Sequence, residues 1–152
     1  MLSTRTDLPM SISDNPIPQY LGSGDPALKD YFPAWVNDMA DDATVEGSML
    51  NGVVQGGDAV RSVVLTIRSL YERQAHKFAG PYGDNGFLED YTAQVRGEPI
   101  GAAVLITRNS TGQTQHVAAN YRPRSSLLLL SRLLGEKFAG TPYAEYFLAS
   151  ES

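Results

Sequence analysis

No cysteine occurs among the 152 residues, which excludes disulfides, thiolate nucleophiles and cysteine-ligated zinc. Histidine is nearly as scarce: His76 and His116 lie 40 residues apart, too far for a local metal motif, so no metal is expected. Basic residues are outnumbered, 12 Lys and Arg against 17 Asp and Glu, which gives a net charge of -5 and a pI near 4.9. Such a field repels a phosphate backbone or an anionic membrane surface, so neither nucleic acid nor a membrane is an expected partner. Long apolar runs are missing too. The run Leu127 to Leu130 falls far short of the about 20 residues that cross a bilayer. The first twenty residues hold no continuous apolar stretch of the ~7 to 15 that a signal peptide needs, and the expected compartment is the cytoplasm. Gly56-Gly57 lacks the spacing of a Walker or dinucleotide loop, and no cofactor is expected.

What is present fits one soluble domain, with 42% apolar and 19% charged residues. Residues 1–24 carry Pro9, Pro16, Pro18, Gly22 and Gly24 among Ser, Asp and Asn, an extended arm suited to drape over a neighbouring subunit. Asp25-Pro26 reads as a helix start, followed by an apolar stripe of Leu28, Tyr31, Phe32, Trp35 and Met39 that Pro33 kinks or restarts. A short strand is expected over Thr44 to Met49. Gly56-Gly57-Asp58 then opens a helix whose core stripe is Val60, Val63, Val64, Ile67, Leu70 and Tyr71, with Arg61 and Arg68 opposite. Four strands follow at 72–79, 87–95, 100–108 and 113–121, separated by short Gly, Pro and Asn clusters, which implies an antiparallel meander. After Arg122-Pro123, Ser125 is placed to cap a helix reaching Phe138 and closed by Gly140, leaving 141–152 as a tail. Helices first and a meander afterwards make the class α+β, a sheet with helices on one face, over residues 25–140.

Strand alternation puts Phe87, Glu89, Tyr91, Ala93 and Val95 on one side and Leu88, Asp90, Thr92, Gln94 and Arg96 on the other. In the next strand both sides are apolar, so one face covers the helices and the other is expected to cover a second copy, a homodimer. Candidate chemistry is sparse. Asp90 is the candidate general base, because a carboxylate on an inward strand face among aromatic rings has its charged form destabilised. His116 is the preferred histidine, since its same-face neighbours Thr114, Ala118 and Asn120 leave space for a ligand. Glu46 is a second acidic candidate, while Tyr31, Trp35 and Tyr91, with Phe32 and Tyr71, could wall a flat apolar ligand.

The segments Asp42-Ala43-Thr44-Val45-Glu46, Gly57-Asp58-Ala59-Val60-Arg61 and Tyr121-Arg122-Pro123, within a similarity from about 28 to 140, resemble a SnoaL-like member of the nuclear transport factor 2-like superfamily. The resemblance implies a cone-shaped domain in which a curved, mostly antiparallel sheet wraps a cavity beneath the helices, often as a dimer. It also implies two functional readings. In the first, a small apolar or polyketide-like molecule enters the cavity and a cofactor-independent isomerase, cyclase or hydrolase moves a proton, with Asp90 or His116 as base and Tyr31, Trp35, Glu46, Tyr91 and Asn120 as ligand contacts. In the second, the chain is a non-catalytic ligand-binding or dimeric interaction module whose cavity is filled by its own side chains.

Overall fold

The computed structural model describes residues 24–147; the expected N-terminal arm lies outside the described residues apart from Gly24. The elements run β1 (Met39–Gly47), β2 (Val54–Gln55), α1 (Gly57–Ser69), β3 (Glu72–Tyr82), β4 (Gly86–Val95), β5 (Glu98–Arg108), β6 (Thr114–Arg122) and α2 (Arg124–Lys137). The six strands form one curved sheet in the order β2-β1-β6-β5-β4-β3. Every neighbouring pair is antiparallel except β1 and β6, which pair in parallel. The meander expected from the turn clusters is therefore β3 to β6. Arg96 and Gly97 both take positive φ, 51° and 82°, as the two-residue hairpin turn between β4 and β5 requires.

The inward rows of β1, β4, β5 and β6 meet both helices in a single apolar core. Ala43, Val45, Ala93, Val95, Ala102, Val104, Ile106 and Val117 are buried there against Val60, Val63, Ile67, Leu130, Leu133 and Leu134. Gly47, at the end of β1, has no room for a side chain: a Cβ would come within 2.1 Å of the Ala119 carbonyl oxygen across the parallel pair.

Three details depart from the sequence reading. The helix expected over 25–39 is two separate 3-10 turns, Pro26–Leu28 and Ala34–Asn37, and Met39 already belongs to β1. Pro33 sits at the break, because its ring lacks an N–H and would clash with the carbonyl four residues earlier in a continuous helix. Asp25 still caps the first turn, accepting from the Ala27 amide at 3.0 Å. Second, α2 starts at Arg124 behind Pro123 without a side-chain cap, so Ser125 lies inside the helix. Third, packing continues past Gly140: a 3-10 turn at Ala144–Phe147 buries Phe147, stacked on Phe138 at 5.5 Å between ring centroids.

Candidate functional site

Beneath the helices, at the end of the core nearest β3, the packing leaves a cavity of about 40 Å³ lined by Trp35, Val64, Arg68, Tyr71, Glu89, Tyr91 and Tyr121 among others. That volume holds a few waters or the reactive end of a small molecule. Its most unusual wall residue is Glu89, only 2% exposed at the centre of β4. A buried carboxylate costs several kcal/mol unless it is well hydrogen-bonded. Here Oε2 takes both available donors: Trp35 Nε1–H donates to it at 2.6 Å and the Tyr31 hydroxyl donates to it as well. The second oxygen, Oε1, faces His76, whose Nε2 lies 3.5 Å away. His76 is buried between Tyr31 and Tyr91, and among the described residues its Nε2 has no hydrogen bond. One oxygen of the carboxylate is thus anchored and the other is held only by a distant imidazole.

Opposite Glu89 stands a chain of phenols. The Tyr71 hydroxyl lies 2.6 Å from that of Tyr91 and donates to that of Tyr121 at 3.2 Å. If Tyr71 spends its proton on Tyr121, Tyr91 must donate to Tyr71, and the proton of Tyr121 is left for a ligand in the cavity. Burial is the largest influence on all three phenols and pushes their pKa above the ordinary value; burial and then the Glu89 hydrogen bond do the same for Tyr31. The consequence for stability has a definite sign. Above pH about 10 the unfolded chain releases these protons while the folded one keeps them, so the folded state binds more protons and stability falls as pH rises. Below that pH these groups contribute a constant amount. Urea unfolding across the alkaline range should show this decline, and Tyr71→Phe should make it shallower; an equal slope in the variant would mean that Tyr71 titrates as in water.

The residues singled out from sequence divide between the two sheet faces. Tyr31 and Trp35 hydrogen-bond Glu89, and Trp35, Tyr91 and Tyr71 line the cavity beside it, whereas Tyr31 borders the neighbouring cleft. Phe32 instead lies half exposed under the Arg68 guanidinium, 4.9 Å from ring centroid to Cζ. Asp90 is placed on the outer face, paired with Arg122 at 3.1 Å, so the candidate base does not reach the cavity. Arg122 reaches Asp90 across Gly101, where a Cβ would meet its guanidinium at 2.8 Å. His116 is also outside. Its Nε2 contacts Glu46 Oε2 at 2.8 Å and its Nδ1 contacts Thr44 Oγ1 at 2.6 Å, because the parallel pairing of β1 and β6 sets Thr44 beside His116. Glu46 and Asn120 are exposed on that same face and line no part of the cavity.

Three cavity residues were not anticipated, Glu89, Arg68 and Tyr121, and neither was the approach of His76 to Glu89 from outside the cavity lining. Glu89 had a legible signal, since it alternates with Phe87 and Tyr91 rather than with Leu88 and Thr92. Arg68 had one too, because Val64 and Arg68 are spaced four apart and share a face of α1. The placement of Arg68 opposite the core is therefore corrected: Arg61 is exposed, whereas Arg68 is half-buried. Among the described residues no cluster of three or more His, Asp or Glu could hold a metal, and no helix is long and apolar enough to cross a membrane.

No protein-family model matches the sequence, and no curated protein matches it significantly. Solved structures do. A steroid delta-isomerase from Pseudomonas aeruginosa superposes with a TM-score of 0.64 at 19% identity, over 68% of this chain and 77% of that one. An uncharacterized bacterial protein with a cystatin-like fold from Silicibacter pomeroyi gives 0.65 at 17% identity, over 79% and 80%. A designed protein with a curved β-sheet gives 0.52 at 13% identity, over 74% and 86%. At these identities the likeness concerns the backbone. The helices on a curved six-stranded sheet and these neighbours together give the chain a cystatin-like α+β fold.

Proposed function

We propose that the chain is a small-molecule pocket protein that catalyses proton transfer next to a carbonyl, with Glu89 as the base. The observation that carries this reading is the half-anchored carboxylate of a cavity-lining residue: Oε2 is fixed by Trp35 and Tyr31, and Oε1 has His76 Nε2 at 3.5 Å but no close hydrogen bond among the described residues. In the proposed step a C–H beside the ligand carbonyl gives its proton to Glu89, and the bonding electron pair moves onto the carbonyl oxygen. The Tyr121 hydroxyl, at the end of the phenol chain, donates to that oxygen as charge develops. Glu89 then returns the proton to the same carbon or to another, which completes an exchange or an isomerisation. The likeness to a steroid delta-isomerase supports the scaffold for such chemistry. A homodimer through the outer sheet face, where Ala103, Leu105 and Ala118 form a small apolar row, belongs to the same proposal.

The test is deuterium uptake. In D₂O the protein should speed exchange at the carbons flanking the carbonyl of 2-butanone, followed by proton NMR, above the rate in buffer. A rate no higher than that of buffer would move the weight to the second reading, a non-catalytic binding or interaction module. That reading is favoured by one feature, the small cavity of about 40 Å³, most of whose polar lining is satisfied internally.

A further inference from the structure

The cavity contains a charge that the proton-transfer reading does not use. Arg68 lies in the last turn of α1, half-buried, with its guanidinium over the Phe32 ring. Its Nη1 is fully buried and makes no hydrogen bond among the described residues. Guanidinium stays protonated at any ordinary pH, so this is a permanent cation with an idle donor. Leaving a buried donor of a charged group unpaired costs more than leaving a neutral one unpaired. The carboxylate that could relieve it shares the cavity, yet Glu89 directs its hydrogen bonding to Trp35 and Tyr31 instead. An acidic group therefore shares the cavity yet makes no hydrogen bond to Arg68, and the remaining demand at Nη1 is for an acceptor.

Arg68 also stands at a boundary. Together with Gln74 it lines both the inner cavity and a second, wider cleft of about 440 Å³, bordered by Leu28, Lys29, Tyr31 and His76. The guanidinium and the Gln74 amide are thus the side chains common to both spaces. Resting on the reading of the pocket as a ligand site, we infer that the ligand is a small organic carboxylate, a keto acid whose carboxylate pairs with Arg68 and Gln74 while its carbonyl end enters the cavity. Arg and carboxylate match as two parallel N–H···O bonds, which orients as well as binds. The small inner volume then sets the size of the reactive end only, with the rest of the molecule in the cleft. The proton moves as before, from carbon to Glu89 and back; the carboxylate is a handle and does not react.

The experiment compares 4-oxopentanoate with its methyl ester, two ketones that differ in the charged handle. Wild-type protein should exchange the ketone-flanking hydrogens of the acid at least tenfold faster than those of the ester, relative to buffer for each. Arg68→Gln should collapse that preference to near unity, and Arg68→Lys should recover part of it by keeping the charge. Circular dichroism on each variant guards against simple unfolding. Exchange of 2-butanone together with equal treatment of acid and ester would overturn the carboxylate inference and leave the proton-transfer reading standing. No exchange of any ketone, but Arg68-dependent line broadening of 4-oxopentanoate and not of the ester, would uphold the carboxylate site and overturn the base. Binding of neither probe would overturn the inference.

Discussion

Exchange of 2-butanone in D₂O should fall about 10²- to 10⁴-fold in Glu89→Gln, the range that a positioned general base contributes, with little change in fold. The substitution is nearly isosteric. Its amide oxygen can still accept from Trp35 Nε1 and the Tyr31 hydroxyl, the two donors that fix Oε2 now, so the wall of the cavity keeps its hydrogen bonds. What the amide lacks is basicity, and it cannot hold a transferred proton. Asp90→Asn is the comparison, since Asp90 is turned outward to Arg122 and should exchange at the wild-type rate. Wild-type exchange in Glu89→Gln would remove Glu89 from the chemistry altogether.

The largest loss of stability is expected at Trp35. Its ring is 7% exposed within the core cluster, and Trp35→Ala should cost about 3–5 kcal/mol in urea unfolding. That is a large share of the roughly 5–15 kcal/mol that holds a domain folded. Trp35→Phe separates the two contributions of the side chain. A phenyl ring keeps most of the packing but removes the indole N–H, leaving Glu89 Oε2 with Tyr31 as its one donor. A hydrogen bond to a charged group contributes about 1.5–3 kcal/mol, so the Phe variant should lose about that much and less than the Ala variant. No loss in Trp35→Phe would show that the bond to the carboxylate does not stabilise the fold, and the anchoring of Glu89 would need another source.

The legible parts of this molecule were those set by local pattern. Alternation and turn residues placed β4, β5 and β6 almost to the residue, and the apolar stripe from Val60 to Ile67 placed α1. The segment from Asp25 to Met39 was misread because an apolar spacing of three and four fits a helix or a series of turns packed on a sheet. Pro33 decides between them, and β1 claims Met39 through pairing with Thr114. Strand alternation also divided β4 into its two faces correctly. Asp90 was read as the inward carboxylate among aromatic rings, whereas it is Glu89 that has them as neighbours. His116 was preferred for its small neighbours, but Ala118 lies beside Leu105 on the outer face. Which side of β6 faces inward depends on its pairing with β1, and strands some 70 residues apart leave no local trace of that pairing.

The same pairing governs when the site can exist during folding. The meander from β3 to β6 joins neighbours in sequence, whereas the donor from Trp35 reaches Glu89 across 54 residues and the Trp35 carbonyl accepts from Thr114 across 79. Closing such loops costs entropy before any contact repays it, and topologies rich in distant contacts fold slowly for that reason. The carboxylate therefore belongs to a hairpin that can form early, while the groups that make its burial tolerable arrive from the other end of the chain. Until they do, Glu89 gains by staying in water, which ties closure of the apolar core to docking of the Trp35 segment.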